Sequence, residues 1–255
     1  MGKRTLSCEE NESIAIISME DADSRDRIIV ELGGEFEEVR NHIRKNKKIR
    51  VVIITGKTTF CRENDQTPFP LRERIDEMIR YLSLNSIAEE VNRPIIAAIH
   101  GDALGHGLEL ALACDMRICS DSAHFAMNHL TYGDIPRDGG TQRLSRVVGR
   151  GKAMEMILTG ELIDAEEAYR IGLVHRVVPG TELLPAAMDM AREMAAKSPI
   201  AVRYAKEAIH KGLDLTLEQG LRLEADLYFL LHTTSDRTEG IKAFQEKRQP
   251  QFEGR

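Results

Sequence analysis

Short apolar runs alternate with longer amphipathic stretches over the first half of the chain. The apolar runs are bounded by glycine, proline or polar residues, as at Pro94 and Gly101, and this pattern predicts buried strands. Residues 28–45 carry apolar side chains at a helical period, and residues 71–91 predict another helix that Pro94 stops. The predicted strands are residues 14–18, 51–56, 95–99, 116–119 and 123–127.

From Gly149 onward the pattern is helical throughout. Asp164 precedes two glutamates as a helix cap does, and Ser198 followed by Pro199 opens another helix. We therefore predict an α/β core at residues 1–195 and a helical C-terminal region at residues 196–255. The apolar faces of these C-terminal helices are more than one hydrophobic core needs. We therefore expect the chain to associate through them. The predicted helices are residues 152–158, 164–171, 182–197, 199–211, 215–231 and 236–247.

The central feature is a strand, a glycine-rich turn and a helix within residues 93–115. Gly101, Gly105 and Gly107 let the backbone turn tightly and approach a neighbour closely. Free N–H groups at the start of the helix would suit a developing oxyanion. A tight turn without a ligand is the alternative that the glycines alone leave open.

Three side chains near this turn could carry acid–base chemistry. Glu109 lies among apolar neighbours, so burial would raise its pKa and suit it to hold or deliver a proton. His129 and Asp138 share one loop, and an Asp-oriented His is a sound general base. The alternatives are a Glu109 at the solvent edge or paired with an arginine, and an Asp138 that only caps the helix opening at Gly140.

Composition narrows the class of protein. The 255 residues are 42% hydrophobic and carry a net charge of -6, which predicts a soluble globular protein that seeks neither nucleic acid nor an anionic membrane. The chain contains no run of about 18 apolar residues, so we predict no membrane span. Four cysteines without ligand spacing indicate reduced thiols and a cytoplasmic location, and the scattered histidines predict no metal site.

The chain resembles the enoyl-CoA hydratase/isomerase (crotonase) superfamily from about residue 14 to residue 252. The segments that carry the resemblance are residues 94–115, 135–144, 156–160, 165–168, 172–174 and 239–248. The resemblance implies an α/β fold with a crotonase-like ββα superhelix core and a helical C-terminal trimerisation region. It also implies an acyl-CoA thioester substrate of the kind met in fatty acid metabolism, no cofactor besides that CoA, and a homotrimer or a dimer of trimers.

The resemblance also assigns site residues. It places the oxyanion hole at the backbone N–H groups of Asn64 and His106, where most members have glycine at the second position. Glu109 matches the first catalytic glutamate of the hydratases, His129 falls at the second, and Asp138 lies near a catalytic carboxylate of some other members. Substrate-binding positions fall at Cys61, Arg62, Gly105, Phe244 and Lys247. Residues 21–26 and 60–65 depart from the segments that hold CoA in the family.

Three functions are compatible with these residues. A hydratase-type lyase would use Glu109 as one acid/base and His129, backed by Asp138, as the other. A C–C bond hydrolase of a cyclic β-diketone, typified by 6-oxocamphor hydrolase, would activate water with His129 bonded to Asp138. In a catalytically silent acyl-CoA-binding member, the side chains of Asn64 and Arg62 would block the oxyanion hole. A hydratase requires Glu109 to face His129 across a slot wide enough for water. The hydrolase requires His129 bonded to Asp138 and an uncharged pocket, and a silent member would show neither geometry.

Overall fold

The computed structural model describes residues 6–19, 28–57, 59–61 and 91–255, with the backbone alone for residues 28–34. Residues 71–90 of the predicted helix and the positions Arg62 and Asn64 lie outside the described residues. The strands are β1 (Leu6–Asn11), β2 (Ile14–Met19), β3 (Val51–Gly56), β4 (Ile95–Ile99), β5 (Asp102–Leu104), β6 (Met116–Ser120), β7 (His124–Ala126), β8 (Ile163–Asp164) and β9 (Arg176–Val178). The helices are α1 (Ile28–Lys45), α2 (His106–Ala113), α3 (Gly140–Thr159), α4 (Ala165–Arg170), α5 (Leu183–Ala195), α6 (Pro199–Gly212), α7 (Leu217–Leu231) and α8 (Ser235–Gln245), with 3-10 turns at His129–Tyr132 and Gly180–Glu182.

Six strands form the larger sheet in the order β1-β2-β3-β4-β6-β9. The β1–β2 pair is antiparallel and the other four pairs are parallel. All side chains of β4 are buried, as a central parallel strand with both faces covered requires. The five strands expected from apolar runs are confirmed, whereas β1, β5, β8 and β9 were missed because they are half-exposed or very short.

A second sheet has three strands in the order β5-β7-β8. Its first strand, β5, lies between Gly101 and Gly105 of the glycine-rich turn. Gly105 caps α2 with φ 55° and ψ −119°, a backbone conformation that residues with a Cβ rarely adopt. A Cβ at Gly107 would lie 2.4 Å from the carbonyl oxygen of Cys61. The glycines therefore place the start of α2 directly against Cys61, which pairs with Ala103 of β5.

The described chain divides into two compact units, Met1–Asp189 and Met190–Arg255. The division falls within α5, and the boundary predicted from the sequence lies at the end of the same helix. The first unit holds both sheets and a core that includes Phe36, Phe60 and Phe125, all fully buried.

The second unit consists of the last turns of α5 together with α6, α7 and α8. Ser198 caps α6 by accepting the N–H of Ala201, as the sequence predicted, and Thr216 forms a capping box with Gln219 on α7. The buried Asp236 accepts the Ser198 hydroxyl and the N–H groups of the chain terminus. Large apolar side chains remain exposed on these helices, namely Ile209, Leu213, Leu217, Leu221, Phe229 and Phe244.

Among the described helices, none combines the length and the apolar character needed to cross a membrane.

Replacing Phe125 by Ala should lower the free energy of unfolding by about 3–5 kcal/mol, because the ring is fully buried and leaves a cavity. Tyr169→Ala is the matched control, since Tyr169 is 58% exposed and its loss should change stability by about 0.5 kcal/mol or less. Denaturant titration of both variants measures the difference. Equal losses would contradict the placement of Phe125 in the core.

Candidate active site

The carboxylate of Glu109 is buried between two helices of the first unit. It projects from α2, and its Oε1 accepts the backbone N–H groups of Asp138 and Gly140, each at 2.8 Å. Gly140 is the first residue of α3, so the negative charge lies at the positive end of that helix. A Cβ at position 140 would lie 2.8 Å from Oε1, and glycine is what allows this approach. The alternative of a Glu109 at the solvent edge is therefore wrong.

Two imidazoles converge on the other oxygen of Glu109. His106 Nδ1 lies 2.6 Å and His129 Nε2 lies 3.4 Å from Oε2. These two nitrogens are 3.5 Å apart, and the rings meet edge to face with centroids 4.8 Å apart. His106 and Glu109 stand three residues apart on α2, the spacing at which helical neighbours touch. Nδ1 of the buried His129 has no hydrogen-bond partner among the described residues.

The expected rise in the Glu109 pKa is wrong. Burial pushes the pKa of this carboxyl up, but the contacts with His106 and His129 outweigh burial and lower it from 4.5 to about 2. Two backbone N–H donors and the helix terminus favour the same charged form. Glu109 is therefore a carboxylate at neutral pH, and it accepts hydrogen bonds instead of holding a proton.

The expected pairing of His129 with Asp138 is also wrong. His129 begins a 3-10 turn that directs its ring to Glu109 and His106, and these are its contacts. The Asp138 carboxylate lies 3.9 Å from His106 Nδ1 instead. The Asp138 backbone joins the start of α3, where its N–H binds Glu109 and its carbonyl accepts Arg143 Nη1 at 2.9 Å. The loop therefore places His129 and Asp138 around the same carboxylate without pairing them.

The donor atoms of His106, Glu109 and His129 lie within 4.8 Å of one another, a spacing that a metal ion can bridge. The Arg137 guanidinium lies 3.2 Å from His106 Nε2, on the other side of that ring. Its positive charge opposes the binding of a second cation by the same imidazole. The cluster therefore suits proton chemistry better than metal binding, and the prediction of no metal site stays a prediction.

The remaining predicted site residues are divided between the two units. His106 is the first residue of α2, where a backbone N–H has no partner within the helix, and Cys61 and Gly105 border the same turn. In the second unit, Phe244 is 86% exposed and borders an apolar cavity of about 380 Å³ with Ile241 and Phe252. Lys247 follows α8 and is also exposed. Their predicted roles in binding substrate stay predictions.

Sequence reasoning missed two parts of this site. The sequence placed His106 in the site only through its backbone N–H, although the spacing of its side chain from Glu109 on a predicted helix was a usable signal. Arg137 gave no signal, because only the folded loop brings it to the His106 ring.

Gly140→Ala should lower the free energy of unfolding by about 1–3 kcal/mol, because the added methyl group displaces the Glu109 carboxylate or Pro136. Gly151→Ala is the control, since its Cβ meets nothing within 4 Å and it lies in α3 beyond the kink at Gly149. The control should be neutral or more stable by up to about 1 kcal/mol. Denaturant titration tests both variants, and an unaffected Gly140→Ala protein would contradict the close approach.

The low pKa of Glu109 makes stability depend on pH. Because the folded pKa of about 2 lies below the unfolded value of 4.5, its contribution is complete above pH 4.5 and is lost as the pH falls toward 2. The loss should be on the order of 3 kcal/mol in the wild type and absent in Glu109→Gln. Unfolding measured across this pH range checks the expectation.

Glu239→Gln provides the control for this pH dependence. Arg248 also holds the pKa of Glu239 at about 2, but this pair lies at the surface of the second unit. Salt should therefore weaken the contribution of Glu239 and leave that of the buried Glu109 nearly unchanged. A salt-sensitive Glu109 contribution would contradict its burial.

Comparisons with known proteins agree with this fold. The family model described as enoyl-CoA hydratase/isomerase matches residues 9–255. The chain is 35% identical to (E)-benzylidenesuccinyl-CoA hydratase of Thauera aromatica, over 98% of this chain and 99% of the relative. It is 46% identical to 2,3-dehydroadipyl-CoA hydratase of Escherichia coli (strain K12), over 64% of each chain. The crystal structure of enoyl-CoA hydratase from Bacillus anthracis superposes with a TM-score of 0.87 at 37% identity, covering 98% of this chain and 100% of that chain. The predicted crotonase-like α/β fold is thus confirmed, and the chain belongs to the enoyl-CoA hydratase/isomerase family.

Proposed function

We propose that the protein is an enoyl-CoA hydratase-type lyase, which adds water to an α,β-unsaturated acyl-CoA or removes it. The observation that carries this proposal is the contact between His129 and Glu109, which places an ionised carboxylate 3.4 Å from the imidazole that would carry the proton. This direct contact replaces the slot for water that we expected between the two side chains. The names of the Thauera and Escherichia relatives, both hydratases, support the same reaction class.

The thioester oxygen would bind at the N-terminus of α2. The backbone N–H of His106 is the described member of the proposed oxyanion hole, and Asn64 is its second member by resemblance. Donors fixed in this way stabilise the enolate that forms when water attacks the β-carbon. Cys61 and Gly105 would border the thioester.

His129 would carry the proton and Glu109 would stabilise its charge. The water oxygen bonds to the β-carbon while Nδ1 of His129, the nitrogen without a described partner, accepts the water proton. The resulting imidazolium donates through Nε2 to the Glu109 carboxylate. The imidazolium then returns the proton from Nδ1 to the α-carbon, so the elements of water are added and the site is restored.

Asp138 would act mainly through its backbone in this scheme. Its N–H holds Glu109 in place, and its carboxylate adds negative charge 3.9 Å from His106. Hydrolysis of a β-diketone would require a hydrogen bond between His129 and Asp138. His129 contacts Glu109 and His106 instead, which does not favour that reaction. The hydrolase remains as one outcome of the test below.

Exposed apolar side chains on α6 and α7 support assembly as a homotrimer or a dimer of trimers. Phe244 and Lys247 would then contact the CoA of a neighbouring subunit. A role in fatty acid metabolism, a cytoplasmic location and the need for no cofactor besides CoA complete the proposal.

Turnover of a substrate panel tests the reaction. The panel combines crotonyl-CoA and cyclic enoyl-CoA thioesters with cyclic β-diketones. The wild type should hydrate thioesters, and His129→Ala should lose about 10²–10⁴-fold in kcat/KM because it lacks the proton carrier. Glu109→Gln should also lose activity, and Asp138→Asn should lose less because it keeps the backbone N–H.

His124→Ala is the matched control for His129→Ala. His124 also contacts a carboxylate, Asp102 at 3.2 Å, but it lies on β7 away from Glu109, and its loss should leave turnover unchanged. Cleavage of a diketone that depends on His129 and Asp138, without binding of CoA, would refute the hydratase proposal. Binding of CoA without turnover of any thioester would leave a silent family member or an enzyme for an acyl group outside the panel.

A further inference from the structure

The contact between Arg137 and His106 determines where the His106 proton lies. Arg137 Nη2 is 3.2 Å from His106 Nε2, and a guanidinium has only N–H donors. In this hydrogen bond Nε2 must therefore be the acceptor, with a lone pair and no proton. The single proton of the neutral ring then lies on Nδ1.

The second contact of the His106 ring requires the same tautomer. Nδ1 lies 2.6 Å from Oε2 of Glu109, and the ionised carboxylate can only accept a hydrogen bond. A proton on Nδ1 satisfies this contact, whereas a proton on Nε2 would set the Nδ1 lone pair against a negative oxygen. With this tautomer, Arg137 donates a hydrogen bond to His106, and His106 donates one to Glu109.

We propose that Arg137 is a positioning residue that fixes the proton of His106 on Nδ1 and keeps this imidazole an uncharged donor to Glu109. The groups that face the ring among the described residues are Glu109 from α2, Arg137 and Asp138 from the loop before α3, and His129 from the 3-10 turn. A second proton on Nε2 would face the guanidinium at 3.2 Å, donor against donor and cation against cation.

The consequence for chemistry rests on the proposed function. Both histidines contact the same oxygen of Glu109, so each could in principle take up the reacting proton. Arg137 excludes His106 from that role, because its Nε2 is engaged and its Nδ1 is already protonated. His129, whose Nδ1 has no partner among the described residues, is left as the imidazole that exchanges protons.

Nitrogen NMR of the ¹⁵N-histidine-labelled full chain tests the proposal without substrate. The His106 signals are assigned by their loss in His106→Gln. Between about pH 5 and pH 8, wild-type His106 should show a protonated Nδ1 and a bare Nε2 throughout. In Arg137→Met, Nε2 should gain a proton within this range as the pH falls, because the carboxylates of Glu109 and Asp138 then face the ring without the opposing guanidinium.

Two further variants separate this effect from general damage to the loop. Arg137→Lys keeps a cationic donor and should keep the wild-type tautomer. Arg143→Met removes a guanidinium that binds the Asp138 carbonyl without touching the His106 ring, and it should leave the His106 signals unchanged.

Three results would overturn the proposal. They are a wild-type His106 that carries its proton on Nε2, an Arg137→Met spectrum that matches the wild type at every pH, and displacement of the Nδ1 proton by added Zn²⁺. The wild-type spectrum decides the tautomer even if Arg137→Met does not fold. Because no step of this experiment needs turnover, the proton assignment and the hydratase proposal can fail separately.

Discussion

The structure of the site depends on one buried negative charge. A carboxylate as deeply buried as that of Glu109 is costly unless hydrogen bonds compensate for the lost water. Two backbone N–H groups, one in the loop before α3 and one at its first residue, supply that compensation together with two imidazoles. Meeting this one requirement brings together α2, α3, the loop before α3 and the 3-10 turn of His129.

Two close approaches make this arrangement possible, and each depends on a glycine. Gly107 lets the first turn of α2 lie against Cys61, and Gly140 lets α3 begin directly at the Glu109 carboxylate. A methyl group at either position would push apart the elements that carry the chemistry. Gly107 and Gly140 thus shape the site by allowing close packing. Gly105 shapes it by adopting a positive φ.

The two histidines around Glu109 are chemically unequal although both touch the same oxygen. His106 is held between a guanidinium and a carboxylate, whereas the outer nitrogen of His129 has no partner among the described residues. A carboxylate that stays ionised can stabilise an imidazolium as it forms. In the proposed water addition, this inequality would make His129 the proton carrier.

The sequence by itself determined the local structure and the family. Apolar periodicity predicted the helix at residues 28–45 and the strands from residue 14 to residue 127, since these patterns depend on neighbours a few residues away. The caps at Asp164 and Ser198 were predicted for the same reason. The fold class followed from the order of these elements and from the resemblance.

Only the tertiary structure decided the state of the site. The direction of the Glu109 pKa shift depends on partners 3 to 31 residues away in sequence, and burial alone predicted the wrong sign. His129 and Asp138 are close in sequence, yet their side chains are separated because one starts a 3-10 turn and the other joins α3. Arg137 reaches His106 only through the folded loop. A proton's position depends on distances of tenths of an ångström between such groups, and no local pattern in a sequence encodes those distances.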